Sequence, residues 1–362
     1  MKVLIIPEFG EVGSGTFSFL IRLLEIHKLN KIDTAVLLDP SQSNAVALLI
    51  IQQYTDNIFY SKFLRPKKFY KPILSPFFDM LYCFKPVKKF KPDIIHISNG
   101  TPGIMFGVFL IKKSVVLTMH TYPMRYVHRY VSFFWKILLC GNKIVNTVSR
   151  YSALQIEQKF QIQQKKINII YNSTNNVNHI HEYNNNTNVV TVGHVVWYKN
   201  PETWLSVAEK VITKLPHVRF YWLGNGELLD TYREKVKALQ IKENIIFKGY
   251  QKNVSEYCEN AALYFQPSRL ESHGIAVIDA MAHGLPCVTS DAGGLPESVV
   301  NNETGFTRFV DDVDGFTEKI INLLSDKLLR EKMGAAGKKR AEELFSQEKQ
   351  EKEYMKLYHS IS

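Results

Sequence analysis

Residues 270–284, LESHGIAVIDAMAHG, place two acids, Glu271 and Asp279, eight positions apart in a run that is otherwise mostly apolar or small. A carboxylate among apolar neighbours loses its hydration, at a cost of roughly several kcal/mol unless donors replace the lost water. The donors for Asp279 can come from the chain's own amides or from the hydroxyls of a bound diol such as a ribose. Gly274 opens the apolar run, which reads as a helix, so its first free amides fall at 274–277, around Ile275 and Ala276. Amides at a helix start point outward and the helix dipole favours negative charge there, which suits a phosphate. A phosphate at the helix start and a diol one turn further on describe a single nucleotide. The plainer reading has Asp279 satisfied by backbone amides and Glu271 at the surface.

Such a helix needs a sheet to carry it, and the chain is long enough to build two. Its 362 residues favour two cores over one. A hydrophobic content of 45% and a charged content of 22% are those of a soluble globular protein. The opening MKVLIIPEFG is broken by Pro7 and Glu8 and reads as a strand rather than a signal's apolar core. GIMFGVFLI and VSFFWKILLCG are too short to cross a bilayer. Cys83, Cys140, Cys258 and Cys287 show no metal or redox spacing. A reduced, cytoplasmic chain is expected.

Buried β-branched runs alternate with helix-like segments. KVLIIP, KIDTAVLLD, PDIIHIS, SVVLTMH, KIVNTVS and INIIYN predict strands in the first half, with GTFSFLIRLLEIHKL a helix after the first; region 40–92 is left open. An Asn-rich stretch, NSTNNVNHIHEYNNNTN, reads as a linker. The alternation then restarts with NVVTVGH, VRFYWLG, ENIIFKGY, ALYFQPS, PCVTSD and TGFTRFV as strands. This predicts an α/β chain of two doubly wound parallel-sheet domains facing a central cleft, with ligands at the carboxyl ends of the strands. The expected boundaries are 1–173 for the first domain, 174–188 for the linker, 189–345 for the second domain and 346–362 for a polar terminal helix.

Charge separates the halves. Residues 1–175 hold 23 Lys and Arg against 9 Asp and Glu, whereas 176–362 hold 22 against 25. Within 62–91 nine cations meet one acid, Asp79, among many aromatics. Basic charge interleaved with aromatics suits an anionic membrane surface; a solvated basic face over an ordinary core is the other reading. No nucleic-acid motif accompanies the charge, so nucleic acid is not an expected partner.

The ordered features of 267–306 resemble the donor-site signature of the retaining GT-B glycosyltransferases of family 4, the glycosyl transferases group 1. They are Pro267, Ser268, Glu271, Gly274, Asp279 followed by Ala280-Met281-Ala282, Gly284, Pro286, Gly293-Gly294 and Pro296-Glu297. TVGHVVWYKNPETWLSVAEKV resembles the strand, loop and helix that carry the family's Gly-Arg and Lys, here Gly193, His194 and Lys199. Two positions depart from the pattern: the family's second Glu is Asp279, and its Arg is His194. A neutral imidazole supplies one donor and no charge where Arg supplies a charged fork. By the resemblance, Asp279 holds the ribose, Lys199 carries most of the countercharge to the diphosphate beside the amides near Gly274, and Glu271 lies beside the transferred sugar.

Retaining transfer in this fold is understood as front-face, so the leaving phosphate itself can take the acceptor proton. The protein then supplies positioning and charge stabilisation, which amides and Lys199 can do with no metal and no cofactor beyond the sugar nucleotide. His120, ending SVVLTMH, matches a family histidine near the sugar, and a structural histidine is its other reading. Gly13 and Gly15 sit where the family has a glycine-rich loop, although a plain turn would serve as well. Ser149 matches a family serine, and His96 reads as core. The resemblance implies a hexosyltransferase-type enzyme, and the basic, aromatic-rich first half suggests a lipid-linked or membrane-surface saccharide acceptor in polysaccharide or glycolipid assembly, with the chain cytoplasmic or peripheral on the inner membrane face. A sugar-nucleotide epimerase and a non-catalytic module binding nucleotide or anionic lipid are the competing readings.

Overall fold

The computed structural model describes residues 1–7, 14–39, 45–60, 84–99, 113–121, 141–174 and 186–362. It divides into a unit of Met1–Ile170 with Glu351–Ser362 and a unit of Tyr171–Gln350. The Asn-rich stretch lies largely outside the described residues, as do Gly13 and the larger part of the basic segment, 62–83.

The first unit is built on seven strands: β1 (Lys2–Pro7), β2 (Asp33–Leu38), β3 (Ile58–Tyr60), β4 (Ile94–Ser98), β5 (Ser114–Met119), β6 (Lys143–Thr147) and β7 (Ile167–Ile169). Their order is β3-β2-β1-β4-β5-β6-β7, and every pair is parallel. Among the described residues its helices include α1 (Gly15–Leu29), α2 (Ala45–Gln52) and α3 (Arg150–Phe160). Alternation between two covered faces explains why β1 is apolar from Val3 onward. Val3 and Ile5 face a cluster with Phe19, Leu20 and Leu23 of α1, while Leu4 and Ile6 face one with Ile156 and Phe160 of α3. α2 and β3 fill part of the region that sequence patterning left open.

The second unit repeats the plan with β8 (Asn188–Val192), β9 (Arg219–Leu223), β10 (Ile245–Gly249), β11 (Leu263–Gln266), β12 (Cys287–Ser290) and β13 (Gly305–Arg308), in the order β10-β9-β8-β11-β12-β13. Its helices are α4 (Pro201–Lys214), α5 (Leu229–Lys237), α6 (Val254–Glu259), α7 (Ile275–Ala282), α8 (Leu295–Ser298), α9 (Val313–Ser325) and α10 (Lys327–Phe345). Asn200 caps α4 through its side chain, and Pro201 follows at the first helical position, where its missing N–H costs nothing.

The terminal helix α11 (Gln347–Ile361) corrects one expectation. It is not polar all round: Tyr354, Leu357, Tyr358 and Ile361 recur at helical spacing and are buried in the first unit's core. The Tyr358 hydroxyl lies 3.0 Å from His27 Nε2 and 2.6 Å from His96 Nδ1. His96 Nε2 continues to Thr118 at 2.7 Å, and Asn146 Nδ2 reaches both Thr118 and the Tyr354 hydroxyl. His96 is thus a satisfied core histidine.

Candidate active site

In the second unit the strand order reverses between β8 and β11, and in open parallel sheets the crevice outside the carboxyl ends at such a reversal is where ligands bind. Gly193, His194 and Lys199 leave β8; Ser268, Glu271 and Gly274 leave β11, with α7 immediately after. The Lys199 ammonium forms an ion pair with Glu271 Oε2, and the two side chains are only 17% and 15% exposed. Gln266 Nε2 also donates to Glu271 Oε2 at 2.9 Å and to Ser268 Oγ at 3.1 Å. Gln266 is itself held by the Tyr264 hydroxyl, which donates to its Oε1 at 2.6 Å. The result is a largely enclosed lysine and carboxylate with fixed orientation.

The loops carrying the pair are tied down in turn. Arg269 donates its backbone N–H to the Tyr198 carbonyl at 2.8 Å and its guanidinium to Asp311 at 2.6 Å and to Asn200 Oδ1 at 3.0 Å. Asp311 also accepts from Asn200 and Thr203. Burial would raise the Asp311 carboxyl, but hydrogen bonds from Asn200, Thr203 and Arg269 outweigh it and hold its pKa below the ordinary value. Gly293, at φ 61°, lies so close to the Glu271 backbone that a Cβ there would sit 1.9 Å from its carbonyl oxygen, and Gly294 N–H donates to that same carbonyl at 3.0 Å. The glycine pair is therefore the mould for the Glu271 main chain. Gly224 approaches the Gly193 carbonyl in the same way.

Gly274 precedes α7 in a left-handed conformation, φ 89°, and the helix carries no side-chain cap. Ile275, Ala276 and Asp279 are partly exposed, whereas Val277, Ile278, Ala280 and Met281 are buried. The helix thus has one open strip, and Asp279 lies on it, one turn from the uncapped start. This corrects the expectation of apolar neighbours on every side: Asp279 is half-buried. Its charge still reaches inward, since the Cys258 thiol is pushed up to about 12 by burial first and then by Asp279 and Glu259.

His194 is exposed at the start of its loop. His120 and Gly15 belong to the first unit. Gly15 is the first residue of α1, behind Ser14, whose Oγ accepts from Phe17 N–H. Ser149 caps α3, accepting from Ser152 N–H at 3.1 Å. Burial pushes the His120 pKa down to about 4, so the ring is neutral near pH 7. Among the described residues no group of three or more His, Cys, Asp or Glu could hold a metal ion, and no helix is long and apolar enough to cross a membrane. The described end of the basic segment, 84–91, presents Lys85, Lys88, Lys89 and Lys91 as exposed side chains.

Sequence reasoning missed Gln266, Tyr264, Arg269 and Asp311. The position of Gln266 at the end of the strand beside the order reversal was the available signal.

The family model for glycosyl transferases group 1 matches residues 172–340, and that for glycosyltransferase family 4 matches 47–176. The chain belongs to these GT-B glycosyltransferases of family 4. Over 152 residues it is 32% identical to an N-acetyl-alpha-D-glucosaminyl L-malate synthase from Bacillus anthracis, covering 42% of this chain and 40% of that protein. Over 278 residues it is 22% identical to a UDP-Gal:alpha-D-GlcNAc-diphosphoundecaprenol alpha-1,3-galactosyltransferase from Escherichia coli, covering 69% and 71%. The chain therefore spans about two fifths of the length of the first relative. The crystal structure of Anabaena Alr3699/HepE in complex with UDP-glucose superposes with a TM-score of 0.82 at 15% identity, over 99% of this chain and 100% of that one.

Proposed function

We propose that the chain transfers a sugar from a nucleoside-diphosphate donor, held by the second unit, to a saccharide or lipid-linked acceptor, with retention at the anomeric carbon and without a metal. The observation that carries this reading is the enclosed Lys199–Glu271 pair beside the uncapped start of α7, at the carboxyl ends of β8 and β11. A diphosphate on the Ile275 and Ala276 amides would find Lys199 as its countercharge and Asp279 as an acceptor for ribose hydroxyls one turn along. Charge developing on the leaving phosphate is then met by groups already in place, which is what lowers the barrier. Glu271, fixed by Lys199 and Gln266, orients the sugar, and the departing phosphate takes the acceptor proton. The UDP-glucose complex of the Anabaena structure supports the donor class. The diphosphoundecaprenol acceptor in the name of the Escherichia coli relative supports a lipid-linked acceptor in polysaccharide or glycolipid assembly. A peripheral site on the inner membrane face, reached through the basic segment 62–91, fits that acceptor.

The test is a panel of sugar nucleotides assayed for binding, hydrolysis and transfer. At least one is expected to bind, and Glu271→Gln is expected to lower turnover more than about tenfold, equivalent to roughly 1.4 kcal/mol. Nucleotide binding with no transfer to any acceptor would instead indicate a binding module, and inversion at C2 of the sugar without an acceptor would indicate an epimerase.

A further inference from the structure

Glu271 Oε2 accepts two donors of different kinds, the Lys199 ammonium and Gln266 Nε2 at 2.9 Å, while Oε1 accepts none among the described residues. The donors stand on different supports. Lys199 closes the short turn Trp197–Lys199 and reaches the carboxylate on a long, flexible stem. Gln266 is the last residue of β11, in register with Thr289 of β12, and is buried. A carboxylate only accepts, so the end of the Gln266 amide that faces Glu271 must be its NH2 group. The second N–H of that group goes to Ser268 Oγ at 3.1 Å, and Oε1 is left facing the Tyr264 hydroxyl at 2.6 Å. Tyr264 is buried on the same face of β11, two positions back. Its single hydrogen goes to Oε1, the nearer acceptor, rather than to the Val192 carbonyl 3.2 Å away, and its oxygen accepts the Val192 N–H at 3.3 Å. The charge on Glu271 therefore fixes the direction of every bond back to Tyr264.

We propose that Gln266 is a positioning residue that holds Glu271 while Lys199 is drawn off to the diphosphate of a bound nucleotide, with Tyr264 fixing the amide that does so. This rests on the donor reading given above. A diphosphate at the start of α7 competes with Glu271 for one ammonium. As Lys199 turns toward the phosphates, so enclosed a carboxylate would be left an unpaired charge, and that cost would oppose nucleotide binding. Gln266 Nε2 stays on Oε2 throughout, because its strand and its hydroxyl partners hold it there. The exchange of partners then costs less, and the carboxylate keeps its orientation.

The experiment is calorimetric titration of the full chain with UDP, GDP, ADP and dTDP, diphosphates that carry no sugar. At least one is expected to bind the wild type. Gln266→Leu is expected to weaken that nucleotide about tenfold, as befits one lost hydrogen bond to a charged group. Glu271→Gln removes the charge that competes for Lys199 and is expected to tighten binding. In that background Gln266→Leu should change the affinity by less than about twofold. Tyr264→Phe combined with Gln266→Leu removes both polar partners together and leaves no orphaned hydroxyl, so the same pattern is expected there even if Gln266→Leu alone fails to fold. A residue that serves only the fold would weaken binding equally with Glu271 or Gln at position 271, and that result overturns the proposal. Unchanged affinity in the Gln266 variants also overturns it and leaves the donor reading standing. A wild type with no affinity for any of the four diphosphates overturns both.

Discussion

The two units share a strand order and hold their candidate residues in opposite ways. In the second unit the chemistry is charged, and the loops are fixed by backbone contact: Lys199 pairs with Glu271, Gly293 and Gly294 mould the Glu271 main chain, and Asp311 binds Arg269, Asn200 and Thr203. In the first unit the chemistry is neutral, and it rests on side chains under the sheet, where His27, His96, Thr118 and Asn146 are joined through Tyr354 and Tyr358. The contrast teaches that one sheet plan supports two kinds of rigidity. Contact with a backbone admits no substitution, whereas a side-chain network fails by degrees.

The sharpest way to break that contrast is Gly293→Ala. A methyl 1.9 Å from the Glu271 carbonyl, on a backbone at φ 61°, forces the main chain of the site to move. Loss of transfer is expected together with a fall in stability of about 3 kcal/mol or more, read by urea unfolding. A folded, active variant would refute the mould.

In the first unit, Tyr358→Phe removes a hydroxyl shared by two buried histidines. The cost of unsatisfied buried groups, about 1–3 kcal/mol, should fall on the first unit's unfolding transition alone. An equal shift in both transitions would argue against separate networks.

The smallest effect is a dependence on pH. His273 is buried against Tyr171, stacked at 5.1 Å, and against Phe345, and burial lowers its pKa from 6.5 to about 3. Neither ring nitrogen has a hydrogen-bond partner among the described residues. The unfolded state therefore binds a proton that the folded unit refuses. Its contribution to stability is intact above pH 6.5 and is lost at about 1.4 kcal/mol per pH unit as pH falls below that value. His273→Phe keeps the ring and removes the titration, so the second unit's urea midpoint should fall less between pH 7.5 and 5.5 than in wild type. An identical fall would assign the acid sensitivity elsewhere.

The strands were legible because a parallel strand covered on both faces must be apolar at nearly every position, as β1 is from Val3 onward. Glu271 and Ser268 were legible as candidates through spacing along one stretch and its resemblance, and Lys199 through the resemblance of a second stretch. The rest was hidden for physical reasons. Gln266 and Arg269 act through partners brought near by folding, Arg269 on a residue 42 positions away. The apolar face of α11 was diluted by the charges between its anchors, so its average read as polar. Asp279 looked enclosed because its sequence neighbours are apolar, yet a helix turns alternate neighbours away from one another.

The return of α11 to the first unit has a consequence for biosynthesis. Domains usually fold in the order in which they leave the ribosome, but here Tyr354, Leu357, Tyr358 and Ile361 seal a core begun at Val3. The first unit must wait, with His27 and His96 short of their shared hydroxyl, until the whole second unit has been translated. Helix α11 acts as the keystone of the unit it returns to.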